Sequence, residues 1–415
     1  MSRGVLTKDE FFRRARGDLA GPLAGVRVIE ATTTWAGPMC ACVLADFGAD
    51  VIKVELPEGE VARRLPPFLP GEGEPALSFM HTTVNRNKRS VTLNLREPEG
   101  RDLFLRLARS ADVVVENFRP GTMDAWGIGY EHVRAVRPDV VYVSISGFGQ
   151  FGPDRERAGY DPMAQAASGW LSLNGEPGGA PVKAPTFIGD DVGGLHGALG
   201  ALAALRHRDR TGEGQHVDVA LQDALLFQSN GYPMLAALGV DLPRMGSQFV
   251  VAAPAGVYRC RDGYVMMGVL LDAHWRILAE LLGRPELADH PDYATGRLRV
   301  TRRAELNALV DGWVRERSVH EVVEALLRAR LPASPVRRYA DAAGDPHVRE
   351  RDMLQTVELE NGQSAPVVGP AAKFSRTPVA VRSAAPALGA HTASVLEEIG
   401  VSSEERAALR ERGVI

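Results

Sequence analysis

The sequence predicts an α/β protein, with a large domain on a mostly parallel sheet and a second, smaller α/β domain. In the first half of the chain, short β-branched runs alternate with helical stretches, which is the pattern of parallel βαβ units. From about Ser229 to Leu331 the pattern changes to a hairpin followed by amphipathic helices. With 415 residues the chain is also too long for one simple core, which favours two domains.

The first βαβ unit opens the predicted sheet. Residues 26–31 (VRVIEA) have the pattern of a buried strand, and residues 51–55 (VIKVE) have that of the next strand. The stretch between them predicts a helix that begins at Pro38 and ends near Gly48. TTTWAGP follows the first strand, where a dinucleotide fingerprint would have G-x-G-x-x-G. The sequence therefore predicts a Rossmann-like topology without a nicotinamide cofactor.

Further strands complete the large domain, which we place at residues 1–228. A Pro-, Gly- and Glu-rich loop over residues 56–75 comes first. Helical patterns such as EGRDLFLRLARSA then separate the predicted strands, which are RSVTLNL, DVVVENF and VVYVSISGFG. Because the sheet is mostly parallel, we expect helices to cover both of its faces.

The smaller domain is predicted over residues 229–331. VYRCRDGYVMMGV has the pattern of a hairpin that turns at Asp262 and Gly263, and DAHWRILAELLG and RRAELNALVDGWVRE predict amphipathic helices. The remaining residues, 332–415, run through a Pro- and Ala-rich coil and end in two helical segments. These segments could cap either domain.

Composition excludes several classes of protein. A net charge of −4 argues against a general nucleic-acid binder, which needs a concentrated basic surface. Cys40, Cys42 and Cys260 cannot all pair and lack metal-ligand or redox spacing, so we expect buried thiols in a reducing compartment. The N-terminal stretch lacks the apolar core of a secretory signal, and no apolar run is long enough to span a bilayer. We therefore expect a cytoplasmic protein with no metal site, since the histidines are scattered as well.

Two adjacent carboxylates, Asp190 and Asp191, stand before a run of Gly, Ala and Leu. An acid before an apolar periodic run is the ordinary start of a helix, where its side chain caps free backbone N–H groups. The alternative is a carboxylate held at a helix N-terminus as a nucleophile or base, with glycines that let a substrate approach. This stretch alone leaves both interpretations open.

A polar loop follows the strand DVVVENF. Asn117, Phe118 and Arg119 offer an amide, a ring and a cation at the carboxyl end of a parallel strand, where ligands bind in open sheets. An ordinary loop with a solvated arginine is the alternative. A second basic stretch, NRNKRS with Arg96 beyond it, could meet a phosphorylated ligand or could be a solvated face.

A glycine-rich loop over residues 146–169 leads into a helix of small residues. Arg155 and Arg157 lie in it, and Tyr160 and Asp161 stand at the helix entrance. With Pro162 at the first helical position, Asp161 is expected to cap that helix. The pattern does not explain Tyr160.

Taken in order, several blocks resemble the class III CoA-transferases from about Leu23 onward. These blocks are AGP…LADFGADVIKVE, NRNKRSVTLNLREPEG, VVENFRPG, SISGFGQFGP, GYDPMAQAASG, GD before the Ala/Gly helix, RTGEGQHVDVALQDALL and LGAHTASVLEEIG. The resemblance implies a Rossmann-like large domain to which residues 332–415 return, with the smaller domain inserted. It also implies a homodimer of two interlocked ring-like chains.

The same resemblance implies that Asp190 is the catalytic carboxylate, because it is the acid of the family's GD signature. In such transferases the acid attacks an acyl-CoA and forms first a mixed anhydride and then an aspartyl-CoA thioester. No permanently bound cofactor is implied, since CoA thioesters are the substrates. No family role follows for Asp191, whose charge suits a helix N-terminus.

Several positions match the family's CoA site. Asn117 and Phe118 correspond to the loop beside pantetheine and adenosine, and Tyr160 to an aromatic position near the thioester. The other positions assigned to CoA by this resemblance are Leu93, Arg96, Arg119 and Leu221.

Two departures alter the expected pocket. Ala125 and Trp126 stand where relatives often place an arginine, so Trp126 is expected to stack on adenine instead. Trp35 stands where the oxalate-type enzymes have a glutamine, which argues for a larger, less polar substrate pocket and against oxalate.

The resemblance leaves a choice of chemistry. The 2-methylacyl-CoA racemases of the same superfamily carry a histidine where this chain has Tyr160, and a tyrosine is a poor base because its reference pKa is about 10. Transfer of CoA to a free carboxylic acid is therefore favoured over racemisation. A non-catalytic CoA-binding protein is the third alternative, but it would have no need for Asp190.

Overall fold

The computed structural model describes residues 6–71 and 76–415. The first five residues and the last four of the predicted loop over 56–75 lie outside this range. The chain divides into two compact units. One combines the described part of Met1–Leu171 with Lys183–Gly239 and Pro346–Ile415, and the other contains Ser172–Val182 and Val240–Asp345.

Strands are numbered in chain order. They are β1 (Arg27–Ala31), β2 (Asp50–Glu55), β3 (Lys88–Thr92), β4 (Val113–Glu116), β5 (Val141–Ser146), β6 (Gln215–Ala220), β7 (Ala255–Arg259), β8 (Tyr264–Gly268), β9 (Ala333–Pro335), β10 (Leu354–Glu358) and β11 (Ser364–Val368).

Helices are numbered in the same way. They are α1 (Lys8–Phe12), α2 (Ala36–Asp46), α3 (Phe79–Val84), α4 (Pro98–Ala108), α5 (Thr122–Ala125), α6 (Tyr130–Val136), α7 (Asp161–Ala167), α8 (Trp170–Leu173), α9 (Ile188–Thr211), α10 (Leu221–Phe227), α11 (Tyr232–Ala237), α12 (Asp272–Leu281), α13 (Gly296–Thr301), α14 (Arg303–Arg315), α15 (Val319–Arg328), α16 (Tyr339–Ala343), α17 (Pro346–Glu350), α18 (Thr392–Glu398) and α19 (Ser403–Glu411). Single turns of 3₁₀ helix lie at Val61–Arg64 and Pro285–Leu287.

The larger unit is built on a six-stranded parallel sheet in the order β3-β2-β1-β4-β5-β6. This is the doubly wound order, and it confirms the predicted Rossmann-like fold. Val28 of β1 lies beside Val51 of β2 on one side and Val113 of β4 on the other. The chain therefore changes direction between β1 and β4, and the carboxyl ends of these two strands border the switch point at which such sheets bind ligands.

Helices cover both faces of this sheet, as expected for buried parallel strands. Successive side chains of a strand point to opposite faces, so Val28 and Ile29 belong to different apolar clusters. The cluster around Ile29 packs on α4 and on the C-terminal helices α18 and α19. The cluster around Val28 packs on α2 and α9. The C-terminal segment therefore completes one face of the first sheet.

Helix α2 begins at Ala36 and ends at Asp46, so our predicted start at Pro38 was two residues late. It packs closely on α9 because α9 presents glycines at the contact. A Cβ atom at Gly194 would lie 2.7 Å from the carbonyl oxygen of Ala36, and one at Gly197 would lie 3.1 Å from Cys40 Sγ. The Gly/Ala run of α9 is thus a close-packing surface. All three cysteines are buried free thiols, and burial raises the pKa of the Cys40 thiol.

The smaller unit contains the antiparallel sheet β7-β8-β9 and the helices α12 to α15. The predicted turn at Asp262 and Gly263 joins β7 to β8, and the predicted amphipathic helices appear as α12 and α14. Its core includes Trp275, whose indole N–H donates to the carbonyl of Leu287 at 3.0 Å. Among the described residues of the chain, no helix has both the length and the apolar character that crossing a bilayer requires.

Candidate active site

A cleft of about 500 Å³ lies at the switch point of the parallel sheet. The segment after β1 and the loop after β4 form two of its walls, and the glycine-rich loop after β5 forms a third. The first turn of α9 contributes Asp190 and the start of α10 contributes Leu221. Segments that follow three neighbouring strands and the first turns of two helices therefore surround the carboxylate of Asp190.

Asp190 is the third residue of α9, and Asp191 is the fourth. Phe187 occupies the N-cap position, and its side chain makes no capping hydrogen bond. The interpretation of the acid pair as helix caps is therefore wrong, because both acids lie inside the first turn. Their negative charges still suit the positive end of the helix dipole.

The capping role falls to Asp161. Its Oδ1 accepts a hydrogen bond from the backbone N–H of Gly189 at 2.6 Å, and its Oδ2 accepts one from Gln165 Nε2 at 2.7 Å. Helix α7 begins at Asp161 itself, with Tyr160 at its N-cap and Pro162 second. The prediction that Asp161 caps its own helix was therefore wrong, because this buried acid caps the N-terminus of α9.

Burial, together with the negative charges of Asp161 and Asp191, raises the pKa of Asp190 to about 7. Across the part of the chain that the structure describes, no hydrogen bond reaches the Asp190 carboxylate. Its oxygens are thus not committed to a protein donor, and they face the cleft. A partly dehydrated carboxylate with a pKa near neutrality is suited to act as a nucleophile or a base.

Asp191 makes a different contact. Its Oδ1 accepts a hydrogen bond from the indole Nε1–H of Trp35 at 2.6 Å. The Trp35 ring also packs against Phe187 and Phe79, with ring centroids 5.3 and 6.3 Å apart. No sequence pattern predicts this pairing, since 156 positions separate the two residues. Trp35, which we expected in the substrate pocket, is buried and is not among the residues that line the cleft.

The side chain of Asn117, in the loop after β4, forms hydrogen bonds with the segment after β1. Its Oδ1 accepts from the backbone N–H of Thr33, and its Nδ2 donates to the carbonyl of the same residue, both at 2.9 Å. The next backbone N–H, that of Phe118, donates to Glu116 Oε2 at 2.9 Å, and burial raises the pKa of Glu116 to about 7. The amide of Asn117 therefore holds backbone, while its outer surface lines the cleft.

Six residues predicted for the site meet at this cleft. They are Asn117, Phe118, Arg119, Tyr160, Asp190 and Leu221. Three others predicted for the CoA site are not among the residues that line the cleft. Leu93 is fully buried in the core, Arg96 pairs with Glu58 at 3.0 Å on the surface, and Trp126 packs edge to face on Phe118 with centroids 5.2 Å apart.

Two arginines that the sequence analysis left without a role also line the cleft. Arg155 and Arg157 lie in the glycine-rich loop after β5, and the Arg157 guanidinium stands 4.9 Å from the centroid of the Phe148 ring. Their position directly before Tyr160 was the available signal, because a loop at the carboxyl end of a parallel strand belongs to the ligand-binding edge.

The basic stretch NRNKRS neither faces the cleft nor forms a solvated surface, so both of our interpretations of it were wrong. Its three cations form ion pairs with acids of earlier elements. These pairs are Arg86 with Asp46 at 2.6 Å, Lys88 with Glu30 at 2.7 Å and Arg89 with Asp50 at 2.6 Å. Within residues 6–71 and 76–415, no group of three His, Cys, Asp or Glu side chains is arranged to hold a metal ion.

The fold and the cleft together define an α/β protein that presents a carboxylate to a cleft at the switch point of a doubly wound sheet. Comparison with known families identifies that class further. The model of CoA-transferase family III matches residues 23–392, and the chain belongs to this family. It is a CoA-transferase.

Its relatives agree over nearly the whole length. The chain is 39% identical to the succinyl-CoA–L-malate CoA-transferase β subunit of Chloroflexus aurantiacus, over 95% of this chain and 98% of that protein. It is 37% identical to the succinyl-CoA:mesaconate CoA-transferase of Haloarcula hispanica, over 92% and 98%. The crystal structure of a CAIB/BAIF family protein from Brucella suis superposes with a TM-score of 0.80 at 37% identity, over 92% of this chain and all of that chain.

Proposed function

We propose that the enzyme moves CoA from an acyl-CoA to a free carboxylic acid by covalent catalysis at Asp190. The carboxylate attacks the thioester carbonyl, the C–S bond breaks, and a mixed anhydride and the CoA thiolate result. The thiolate then attacks the Asp190 carbonyl of the anhydride and releases the donor acid as a carboxylate. The enzyme is left as an aspartyl-CoA thioester.

The second half of the cycle repeats these steps in reverse order with the acceptor. The acceptor carboxylate attacks the aspartyl thioester, which gives a new anhydride and the thiolate. The thiolate attacks the acceptor's carbonyl, so the new acyl-CoA forms and the Asp190 carboxylate returns. No thioester energy is lost, provided that water does not reach the intermediates.

One observation carries this proposal: Asp190 is a partly buried carboxylate that faces the cleft, and none of the residues described by the structure donates a hydrogen bond to it. Its raised pKa indicates an anion that is poorly stabilised by its surroundings and hence more nucleophilic than a solvated one. Asp161 and Asp191 are less suited to the role, because a backbone amide and an indole N–H respectively occupy an oxygen of each.

The cleft also suggests how the CoA moiety binds. We assign the pantetheine side to the loop of Asn117 and Phe118, with Tyr160 near the thioester. Arg119, Arg155 and Arg157 supply cations for the phosphates. For Leu93, Arg96 and Trp126 a role in CoA binding stays a prediction.

For substrates we propose succinyl-CoA as donor and a four- or five-carbon dicarboxylic acid as acceptor. The relatives' names support this, since they include succinyl-CoA transferases for malate and mesaconate and a succinate–glutarate CoA-transferase of Agrobacterium fabrum. We further propose that the protein forms the interlocked homodimer, and that its domains comprise residues 1–228, 229–331 and 332–415. Light scattering of the protein as it elutes from a size-exclusion column measures the mass of the oligomer and tests the dimer.

The decisive experiment is peptide mass spectrometry of the protein incubated in heavy water with succinyl-CoA, and in parallel with a 2-methylacyl-CoA, and quenched with borohydride or hydroxylamine. The recovered 2-methylacyl-CoA is analysed for deuterium. We expect the trapped modification on Asp190, and its loss in Asp190→Ala. Asp223→Ala, which removes an exposed acid of α10, is the matched control and should still form the adduct. If no adduct forms but deuterium enters the α-carbon of a 2-methylacyl-CoA, the enzyme abstracts a proton and the transferase mechanism is wrong.

A further inference from the structure

The sequence alone does not show which of the two adjacent acids, Asp190 or Asp191, faces the cleft. Asp190 and Asp191 are neighbours in the first turn of α9, and both are partly buried. Adjacent residues of a helix point about 100° apart, so the two carboxylates cannot face the same surroundings. Asp190 faces the cleft, whereas Asp191 faces the indole of Trp35.

The segment that presents Trp35 is itself held in place at each residue before it. The side chain of Asn117 holds both backbone groups of Thr33. Thr34 has a left-handed backbone with φ of 65°, and its N–H donates to Glu60 Oε2 at 2.8 Å. A non-glycine residue keeps that conformation only when its surroundings impose it.

Glu60 is anchored in turn. It is buried and pairs with the fully buried Lys53 at 3.2 Å. The indole of Trp35 therefore projects from a segment that these contacts anchor to the loop after β4 and, through Glu60, to strand β2. A hydrogen bond from such a segment fixes its acceptor in space, which a bond from a mobile surface side chain would not do.

We propose that Trp35 and Asp191 form a positioning pair that fixes the first turn of α9 against the segment after β1, so that Asp190 is held at the reacting position. The inference rests on the proposed function, because it takes Asp190 as the nucleophile. Asp191 and Trp35 do not touch the substrate in this arrangement. They set the direction of the neighbouring carboxylate through the backbone that both acids share.

A displacement of a reacting atom by about 1 Å can lower the rate by two orders of magnitude, so a pair that fixes Asp190 can have a large effect on kcat. Trp35→Phe keeps the ring packing on Phe187 but removes the N–H. Asp191→Ala removes the acceptor, and Asp191→Asn keeps an oxygen that can still accept. For Trp35→Phe and Asp191→Ala we expect kcat to fall roughly tenfold or more with KM for the acyl-CoA within about twofold, the signature of lost positioning.

The test is a double-mutant cycle on kcat with the full-length enzyme. If the two residues act through one hydrogen bond, the double variant falls no further than the worse single variant. Asp191→Asn should retain most of the activity that Asp191→Ala loses. Trp275→Phe is the matched control, because it also removes a buried indole hydrogen bond; it should lower the melting temperature but leave kcat unchanged.

The inference is overturned if the two losses multiply in the double variant, or if both single variants keep the wild-type kcat. Should Trp35→Phe fail to fold, equal losses in Asp191→Asn and Asp191→Ala overturn it as well. Asp190→Ala separates this failure from that of the proposed function. If Asp190→Ala is inactive and the losses of Trp35→Phe and Asp191→Ala multiply, only the positioning pair is wrong. If Asp190→Ala retains turnover, Asp190 is not the nucleophile, and the positioning pair is wrong as well.

Discussion

The carboxylate of Asp161 accepts a hydrogen bond from the backbone N–H of Gly189 at 2.6 Å. An acid from α7 thus caps α9 one residue before Asp190. Two consequences follow for Asp190, the proposed nucleophile. The cap fixes the direction in which α9 begins, and its negative charge disfavours the ionised form of Asp190.

Asp161→Asn should therefore shift the pH profile. The asparagine oxygen can still accept from Gly189, but the negative charge is lost, so the pKa of Asp190 falls towards its ordinary value. We expect the acid limb of kcat/KM, which reports ionisation of Asp190, to move down by roughly half to one pH unit. The burial of Asp190 and the charge of Asp191 still act on it in this variant. Asp223→Asn serves as the control, and an unmoved acid limb would show that Asp161 acts through geometry alone.

The raised pKa of Asp190 should also lower the free energy of unfolding at neutral and alkaline pH. Its pKa is about 7 in the folded state and near 4 when unfolded, so the folded state holds the proton more tightly. The penalty is absent below pH 4, grows between pH 4 and pH 7, and is complete above pH 7. We expect Asp190→Asn to raise the free energy of unfolding by about 1 kcal/mol at pH 8 and to leave it unchanged at pH 4, allowing for partial solvent screening. Urea titrations at both pH values measure this, and a gain that is independent of pH would contradict it.

Much of the fold could be predicted because its signals are local. Each strand of the parallel sheet is a short apolar run between turn residues, and the hairpin of the smaller unit turns at an Asp-Gly pair. The start of α2 was misjudged because Pro38 is tolerated at more than one position of a first turn.

The site was harder to predict, because its contacts join distant parts of the chain. The Gly-Asp pattern led to Asp190 through the family resemblance, but no pattern relates Trp35 to Asp191 or Asp161 to Gly189. The basic stretch shows the same difficulty. Lys88 is charged and hence expected outside, yet it is buried because Glu30, 58 positions earlier, offers a partner within the sheet.

The two arginines of the glycine-rich loop provide a test of how CoA is held. If Arg155 and Arg157 meet its phosphates, replacing both by alanine should raise KM for succinyl-CoA by about tenfold and leave kcat within about twofold. An acyl-pantetheine thioester lacks the nucleotide, so its KM should not change. Arg206→Ala removes an exposed cation of α9 and should have no effect. An equal rise in KM for both substrates would contradict a contact with the phosphates. It would mean that the arginines contact the acyl or pantetheine part of the substrate or stabilise the fold.

The close packing of α2 on α9 can be tested at Gly194, one turn after Asp190. A Cβ atom there would lie 2.7 Å from the Ala36 carbonyl oxygen and 2.8 Å from Met39 Cβ, and since backbone cannot yield locally the helices must separate. Gly194→Ala should therefore destabilise the larger unit by about 2 kcal/mol and also lower kcat, because Asp190 moves with α9.

Gly312, in the last turn of α14, is the matched control because a Cβ atom there meets nothing within 4 Å. Gly312→Ala should stabilise its helix by about 0.5–1 kcal/mol through lower chain entropy in the unfolded state. Hydrogen-exchange mass spectrometry of peptides from α9 and α14 resolves the two effects. If protection from hydrogen exchange rises at both helices, alanine acts only through helix propensity. The contact between α2 and α9 would then accommodate a Cβ atom, which contradicts the prediction.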